Sequence, residues 1–206
     1  MPGKLRTTFL ASALLALAAA TPAAAQNTSQ YTSVAPKTCT KVNAVKVEEE
    51  EHGVTYACRG LPGYIVLIDE GDLRTTVSIG TSRKHASDQR AYEQGFSPFN
   101  AVHDNLEWRI DAKTKKPFAT IQRWLLTDND AVEKDIQPRS AGLLVVTRIP
   151  PGKACHVAYI DVRANENPNA LAQKAADELA KDFDCDKDKT HIIGNKGRAV
   201  EISGIE

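Results

Sequence analysis

The residue types that do chemistry are sparse in this chain, and their spacing narrows the field. His103-Asp104, with Glu107 three residues on, is the nearest approach to a general base with an orienting carboxylate. A hydrolase built on His103 and Asp104 would also need a nucleophile. The sequence contains no G-x-S-x-G, no H-E-x-x-H, no phosphate-cradling loop of the G-x-x-x-x-G-K type and no G-x-G-x-x-G. The run Asp182 to Asp188 invites a calcium reading with Asp184, Asp186 and Asp188 as the first three ligands. Lys189 then falls where a glycine is needed, and Asn195 where the bidentate glutamate belongs, so the pattern fails at its geometric key points. His52, His85, His103, His156 and His191 show no helical metal-binding spacing. Cys39, Cys58, Cys155 and Cys185 lack the short C-x-x-C intervals of a zinc site. No cofactor and no metal is implied.

The elements that must position these residues read as strands with one clear helix. Val42, Val45 and Val47 lead into Glu48-Glu49-Glu50-Glu51, and His52-Gly53 turns the chain into Val54–Cys58, a hairpin with the glutamates at its solvated tip. Tyr64–Ile68 is a short continuous apolar run suited to a buried strand. Leu73, Thr75, Val77 and Ile79 alternate with polar residues, as do Leu106, Trp108 and Ile110. Phe118–Leu126 is read as the antiparallel partner of the latter strand. Its Trp124 and the neighbouring Trp108 are read as cross-strand packing rather than the lining of a ligand groove. Leu143–Ile149 and Cys155–Val162 form a further hairpin around Pro150-Pro151-Gly152. Asn167 and Pro168 open a helix whose Leu171, Ala175, Leu179 and Phe183 make one apolar stripe, ending near Phe183. His191–Ile193 and Ala199–Ile202 are candidates for an added edge strand. The fold class expected is α+β: a mainly antiparallel β-sheet of about eight strands with one C-terminal amphipathic helix and two disulfides.

Lys4 and Arg6, the apolar run Phe9–Ala20 and the small residues Ala23-Ala24-Ala25 make the layout of a secretory signal peptide, with cleavage expected after Ala25. That run is too short to span a bilayer, and no later segment comes closer, so no transmembrane segment is expected in the mature chain. The expected organisation is a signal peptide over 1–25, a flexible lead-in over 26–38 and a single domain over 39–206, in the periplasm or secreted. The chain carries 26 basic and 26 acidic residues, and loss of Lys4 and Arg6 leaves a formal charge of −2. A near-neutral chain with scattered cations argues against nucleic acid as a partner. The densest basic set, Lys113, Lys115 and Lys116, reads as a solvated turn. In an oxidising compartment four cysteines read as two disulfides. Of the three connectivities, Cys39–Cys58 with Cys155–Cys185 is favoured, because each pair is close in sequence and flanks one structural unit.

Two blocks carry a resemblance: Cys58-Arg59-Gly60 through Gly63–Leu67 to Gly71-Asp72-Leu73-Arg74, and Glu107-Trp108-Arg109 followed by Pro117–Trp124. Together they resemble exported hypothetical proteins of alphaproteobacterial type, a group without an assigned activity. The resemblance implies compartment and strand layout and carries over no catalytic residue. Tyr56-x-Cys58, opening a β-rich region, is also loosely similar to the small periplasmic lysozyme inhibitors. The function expected is a non-enzymatic exported domain that binds an envelope protein or a small ligand, with a hydrolase-inhibitor-like module as one form of it. The long polar stretch Thr81–Pro98 supplies the contact candidates Arg83, His85, Arg90 and Tyr92. The alternative is a periplasmic hydrolase using His103 and Asp104.

Overall fold

A computed structural model describes residues 26–42 and 53–205. The described residues form ten strands and four α-helices in order: β1 (Thr28–Ser33), β2 (Thr40–Val42), β3 (Val54–Arg59), β4 (Ile65–Gly71), β5 (Arg74–Gly80), α1 (Arg83–Ser87), β6 (Asn100–Ile110), β7 (Pro117–Thr127), α2 (Asn129–Glu133), β8 (Ser140–Arg148), β9 (Cys155–Asp161), α3 (Pro168–Leu179), β10 (His191–Ile192) and α4 (Arg198–Ile202). The α+β class with a mainly antiparallel arrangement is the one observed. The strands divide between two sheets, one of six in the order β1-β6-β7-β8-β9-β10 and one of four in the order β2-β3-β4-β5. All pairings are antiparallel except β9 with β10. The second sheet and the helices other than α3 are additions to the single-sheet expectation. The segments expected to form a signal peptide over 1–25 and a glutamate hairpin tip lie outside the described residues.

Alternation along the strands builds the layers. Val66, Ile68, Val77 and Ile79 of the four-stranded sheet meet Trp108, Trp124, Leu143 and Val145 of the six-stranded sheet in one core. The other face of the six-stranded sheet, with Ile121, Leu144, Val146 and Ile160, is covered by Ala172, Ala175 and Ala176 of α3. On the outer face of the four-stranded sheet, Leu67 lies under Ala86 of α1 and Tyr92. The chain is therefore a stack of four layers, helix–sheet–sheet–helix, in which each sheet buries part of both faces. The small alanines of α3 allow its axis to approach the sheet closely. The helix starts at Pro168 as expected but stops at Leu179, and Phe183 is buried beyond its end.

Three expectations are corrected. The lead-in over 26–38 carries a strand instead of irregular chain: Thr28–Ser33 pairs in register with Asn105–Ile110, and Val34 and Ala35 are buried. Its sequence shows no apolar alternation because it is an edge strand that satisfies polar groups of β6. Thr32 Oγ1 accepts from the Trp108 indole at 2.8 Å, and Ser29 Oγ accepts from Arg109 at 2.6 Å. Thr81–Pro98 is not irregular, since it folds as α1 followed by a 3-10 turn at Arg90–Tyr92. Ala199–Ile202 belongs to α4 rather than to an edge strand, with Asp161 accepting from the Ala199 and Val200 amides. The disulfides are Cys39–Cys58 and Cys155–Cys185, the favoured connectivity.

Candidate functional site

The outer face of the four-stranded sheet is only half covered. Across it, Arg59, Ile65 and Gly80 form one transverse row, and Ala57, Leu67 and Ser78 the next. α1 docks over β4 and β5 because Gly80 has no side chain. A Cβ there would lie 2.4 Å from the Ala86 nitrogen. Ser78 Oγ donates to the Ala86 carbonyl at 2.7 Å and fixes the helix in place. β2 and β3 remain uncovered beside it. The result is a groove of about 710 Å³, with Ala57 and Ile65 as its floor, α1 and Thr81 as one wall, and Thr40 and Val42 of β2 at the other side. That volume lies within the range of small-ligand sites.

The end wall is the turn from Gly60 to Tyr64, and it is rigidly held. Tyr64 donates its backbone N–H to Leu61 at 2.9 Å, and Gly60 donates to Tyr64 at 3.2 Å. Gly60 lies against the buried indole of Trp108, which a Cβ would meet at 2.8 Å. The Tyr64 hydroxyl donates to the Pro150 carbonyl at 3.0 Å, and burial raises the pKa of its phenol. The Cys39–Cys58 bridge fastens the start of β2 to the end of β3. Beyond the turn a smaller hollow of about 490 Å³ continues past Gln30, Lys115 and Lys116.

Two cations crown this groove. Arg59 and Arg83 line it and are exposed, and among the described residues no carboxylate shares the lining. Among the described residues neither guanidinium has a hydrogen-bond or ion-pair partner. The Arg163 guanidinium is likewise without a partner among the described residues, whereas other arginines are committed. Arg109 is taken up by Asp177 at 2.7 Å, Arg198 by Asp128 at 2.6 Å, and Arg74 by Asp72. An apolar floor under two uncommitted guanidiniums can hold a molecule with an apolar body and an anionic group.

Of the four contact candidates named from the sequence, the structure leaves only Arg83 in the groove. His85 is turned inward on its own loop, its Nδ1 2.9 Å from Thr81 Oγ1 and accepting from the Thr81 amide at 3.2 Å. Arg90 donates to the Cys185 carbonyl and so ties the α1 region to the second disulfide. Tyr92 is buried against the sheet, its phenol pushed up to about 12 by burial and by Asp69. These three serve the docking of the segment. Arg59, Leu61 and Tyr64 were not singled out. The available signal was the outward position of Arg59 in alternation with the inward Cys58, within a block the resemblance already quoted.

The hydrolase residues are not assembled. His103 is exposed at an irregularity in β6, and its Nδ1 accepts from the Asn105 amide at 3.3 Å. The Glu107 carboxylate accepts instead from Ser29 at 2.5 Å and from Gln173 at 2.8 Å beneath α3. In the acidic run, Asp186 receives Lys153 at 2.5 Å and Asp184 receives Lys187 at 2.8 Å. A third hollow of about 720 Å³ is bordered by the exposed Leu73, Phe99 and Leu125. Its Arg74 is already committed to Asp72, to the Ser97 carbonyl and to the face of Phe99. No helix among the described residues is long and apolar enough to cross a membrane. Comparison of the chain with protein-family models, with curated proteins and with solved structures found no match.

Proposed function

We propose that this protein is an exported, non-enzymatic binding domain that holds an anionic ligand with an apolar body in the groove beside α1. The observation that carries the reading is the pair of guanidiniums, Arg59 and Arg83, without a partner among the described residues and set over a floor of Ala57 and Ile65. Export through the leader over 1–25 agrees with two disulfides, which persist in oxidising compartments. The groove walls are covalently and sterically fixed, by the Cys39–Cys58 bridge and by the close approach of Gly80 to α1. Such pre-organisation lowers the ordering cost of binding. No observation favours catalysis by His103 and Asp104.

The test uses the protein exported with its own leader and purified without reductant. Thermal unfolding is followed with hexanoate, hexanol and hexylamine at equal concentration. Hexanoate stabilises, hexanol does so weakly and hexylamine not at all. The hexanoate effect fades with salt, because screening weakens exposed charge pairs. Replacing Arg59 and Arg83 together by alanine removes it. Equal shifts for the three probes, or a hexanoate shift that survives the double replacement, refute the reading.

A further inference from the structure

We infer that the ligand is a long dianion, an apolar body with an anionic group at each end, and that it lies across the Leu61–Tyr64 turn with its second anion on Lys115 and Lys116. This rests on the binding reading above and names its ligand class. The groove and the smaller hollow beyond the turn form one continuous depression, because Leu61, Pro62, Gly63, Tyr64 and Thr81 line both. The crossing is apolar in Leu61, Pro62 and the Tyr64 ring. It is also open, since a Cβ built on Gly63 would meet nothing within 4 Å. The second hollow, of about 490 Å³, continues the apolar surface with Ile110 and Pro117. A body that reaches past the turn therefore stays on apolar ground, and each methylene it covers there favours binding.

Positive charge recurs at the far end. Lys115 and Lys116 line the second hollow and are exposed, and neither ammonium has a hydrogen-bond or ion-pair partner among the described residues. The acid of their own turn is committed elsewhere. Asp111 accepts from the Lys113 and Thr114 amides at 3.0 and 2.7 Å, and its carboxylate receives Lys181, just beyond α3. Lys115 stands at φ 58°, in the left-handed region that favours glycine, and there the turn carries a cation. Lys113, in the same turn, lines neither hollow. Across both hollows the described lining holds four cations, Arg59, Arg83, Lys115 and Lys116, and no carboxylate. The whole chain has 26 basic and 26 acidic residues, so this is a local segregation of charge. A ligand with one anion satisfies one end of the path. A cationic site at each end of an apolar crossing selects a ligand with two, because the second contact forms within an already bound molecule.

The probes are adipate, suberate, sebacate and dodecanedioate, each compared with the monocarboxylate of the same chain length. Kd is read by isothermal titration calorimetry on the protein exported with its own leader and purified without reductant. Adipate gains nothing over hexanoate, because its second carboxylate stays inside the groove. Once the chain reaches across the turn, the diacid binds about fivefold tighter than its monocarboxylate, the scale of an added exposed ion pair and beyond the statistical gain of two equivalent ends. Lys115→Gln/Lys116→Gln removes that gain, so that diacid and monoacid bind alike, with the thermal midpoint of the free protein confirming the fold. Lys113→Gln leaves the gain in place. A diacid that gains at no length, a gain already complete in adipate, a gain that survives the Lys115/Lys116 replacement, or an equal loss from Lys113→Gln each overturns the inference. If hexanoate still stabilises the protein through the two arginines in those cases, the groove reading stands and the spanning ligand falls. If hexanoate fails as well, both fall.

Discussion

His156 makes stability depend on pH in a window where few other groups titrate. It lies in β9, fully enclosed by Phe96, Trp124 and Tyr159, with its ring stacked on Phe96 at 6.1 Å between centroids. Its Nδ1 is 2.9 Å from the Tyr159 hydroxyl, and its Nε2 has no partner among the described residues. Burial disfavours the charged imidazolium and pushes the pKa down to about 3. In the unfolded chain the same group titrates near 6.5. The unfolded state therefore binds a proton that the folded state refuses, and stability falls as pH drops below 6.5, until the folded group also titrates near 3. Integrating the linkage between pH 7 and pH 5 gives a loss of about 2 kcal/mol from this residue alone. Ordinary carboxylates titrate mostly below that window. Those lowered by ion pairing, such as Asp128 beside Arg198, titrate lower still. Glu70, raised by burial and by Asp69, contributes with the opposite sign toward acid. The assay is urea denaturation at pH 7, 6 and 5 without reductant, with the slope on urea checked for constancy. His156→Gln keeps a neutral polar group and should show a nearly flat profile over the same range. A wild-type change below about 0.5 kcal/mol, or an unchanged profile in the glutamine variant, refutes the assignment to His156.

Other consequences follow from single residues. Asp72 and Leu73 form the two-residue turn between β4 and β5, both with positive φ, at 47° and 58°. Leu73 is 71% exposed there, and Leu73→Gly should raise stability by about 1 kcal/mol, read as a higher urea midpoint. A lower midpoint would show that the leucine packs against its surroundings. Arg109 is buried and bonded bidentately to Asp177 of α3, at 3.0 and 2.7 Å. Asp177→Ala leaves that guanidinium without its main partner and should cost about 3 kcal/mol, whereas replacing the exposed Lys84–Asp88 pair should cost well under 1. Equal effects would contradict the burial argument. The bridges close 19 and 30 residues, so serine replacement of either pair should cost about 3–4 kcal/mol. Only loss of Cys39–Cys58 should also abolish the hexanoate effect. Gly80→Ala should cost about 1–3 kcal/mol and weaken hexanoate binding, because the new methyl meets the Ala86 backbone and displaces the groove wall.

Much of the strand layout was legible because period-two alternation is a local property of a half-buried strand. Thr75 to Ile79 and Leu106 to Ile110 showed it and lie in strands, whereas Leu73, read as part of the first of them, falls in the turn before β5 and is exposed. β1 was illegible for the opposite reason. Thr28 to Ser33 buries no apolar stripe of its own, and its partners are polar groups of β6 some 78 residues later. The segment after β5 read as an irregular loop because α1 and the following 3-10 turn are too short to display a helical period.

The groove shows the same division. Arg83 was visible as a cation in a polar stretch, but so were His85 and Arg90, and nothing local separated them. Only the folded chain turns His85 back onto Thr81 and spends Arg90 on the Cys185 carbonyl, 95 residues away. Arg59 comes beside Arg83 because β3, β4 and β5 align Arg59, Ile65 and Gly80 in one row. By itself the sequence determined the strand periods, the helix start at Pro168 and the disulfide pairing favoured by proximity. These rest on interactions between residues close along the chain. The tertiary structure decided that the described strands divide between two sheets, that Glu107 and Arg109 are buried, and that Arg59 and Arg83, without partners among the described residues, stand over an apolar floor. Those outcomes depend on which distant surfaces meet, and residue type and spacing do not encode that locally.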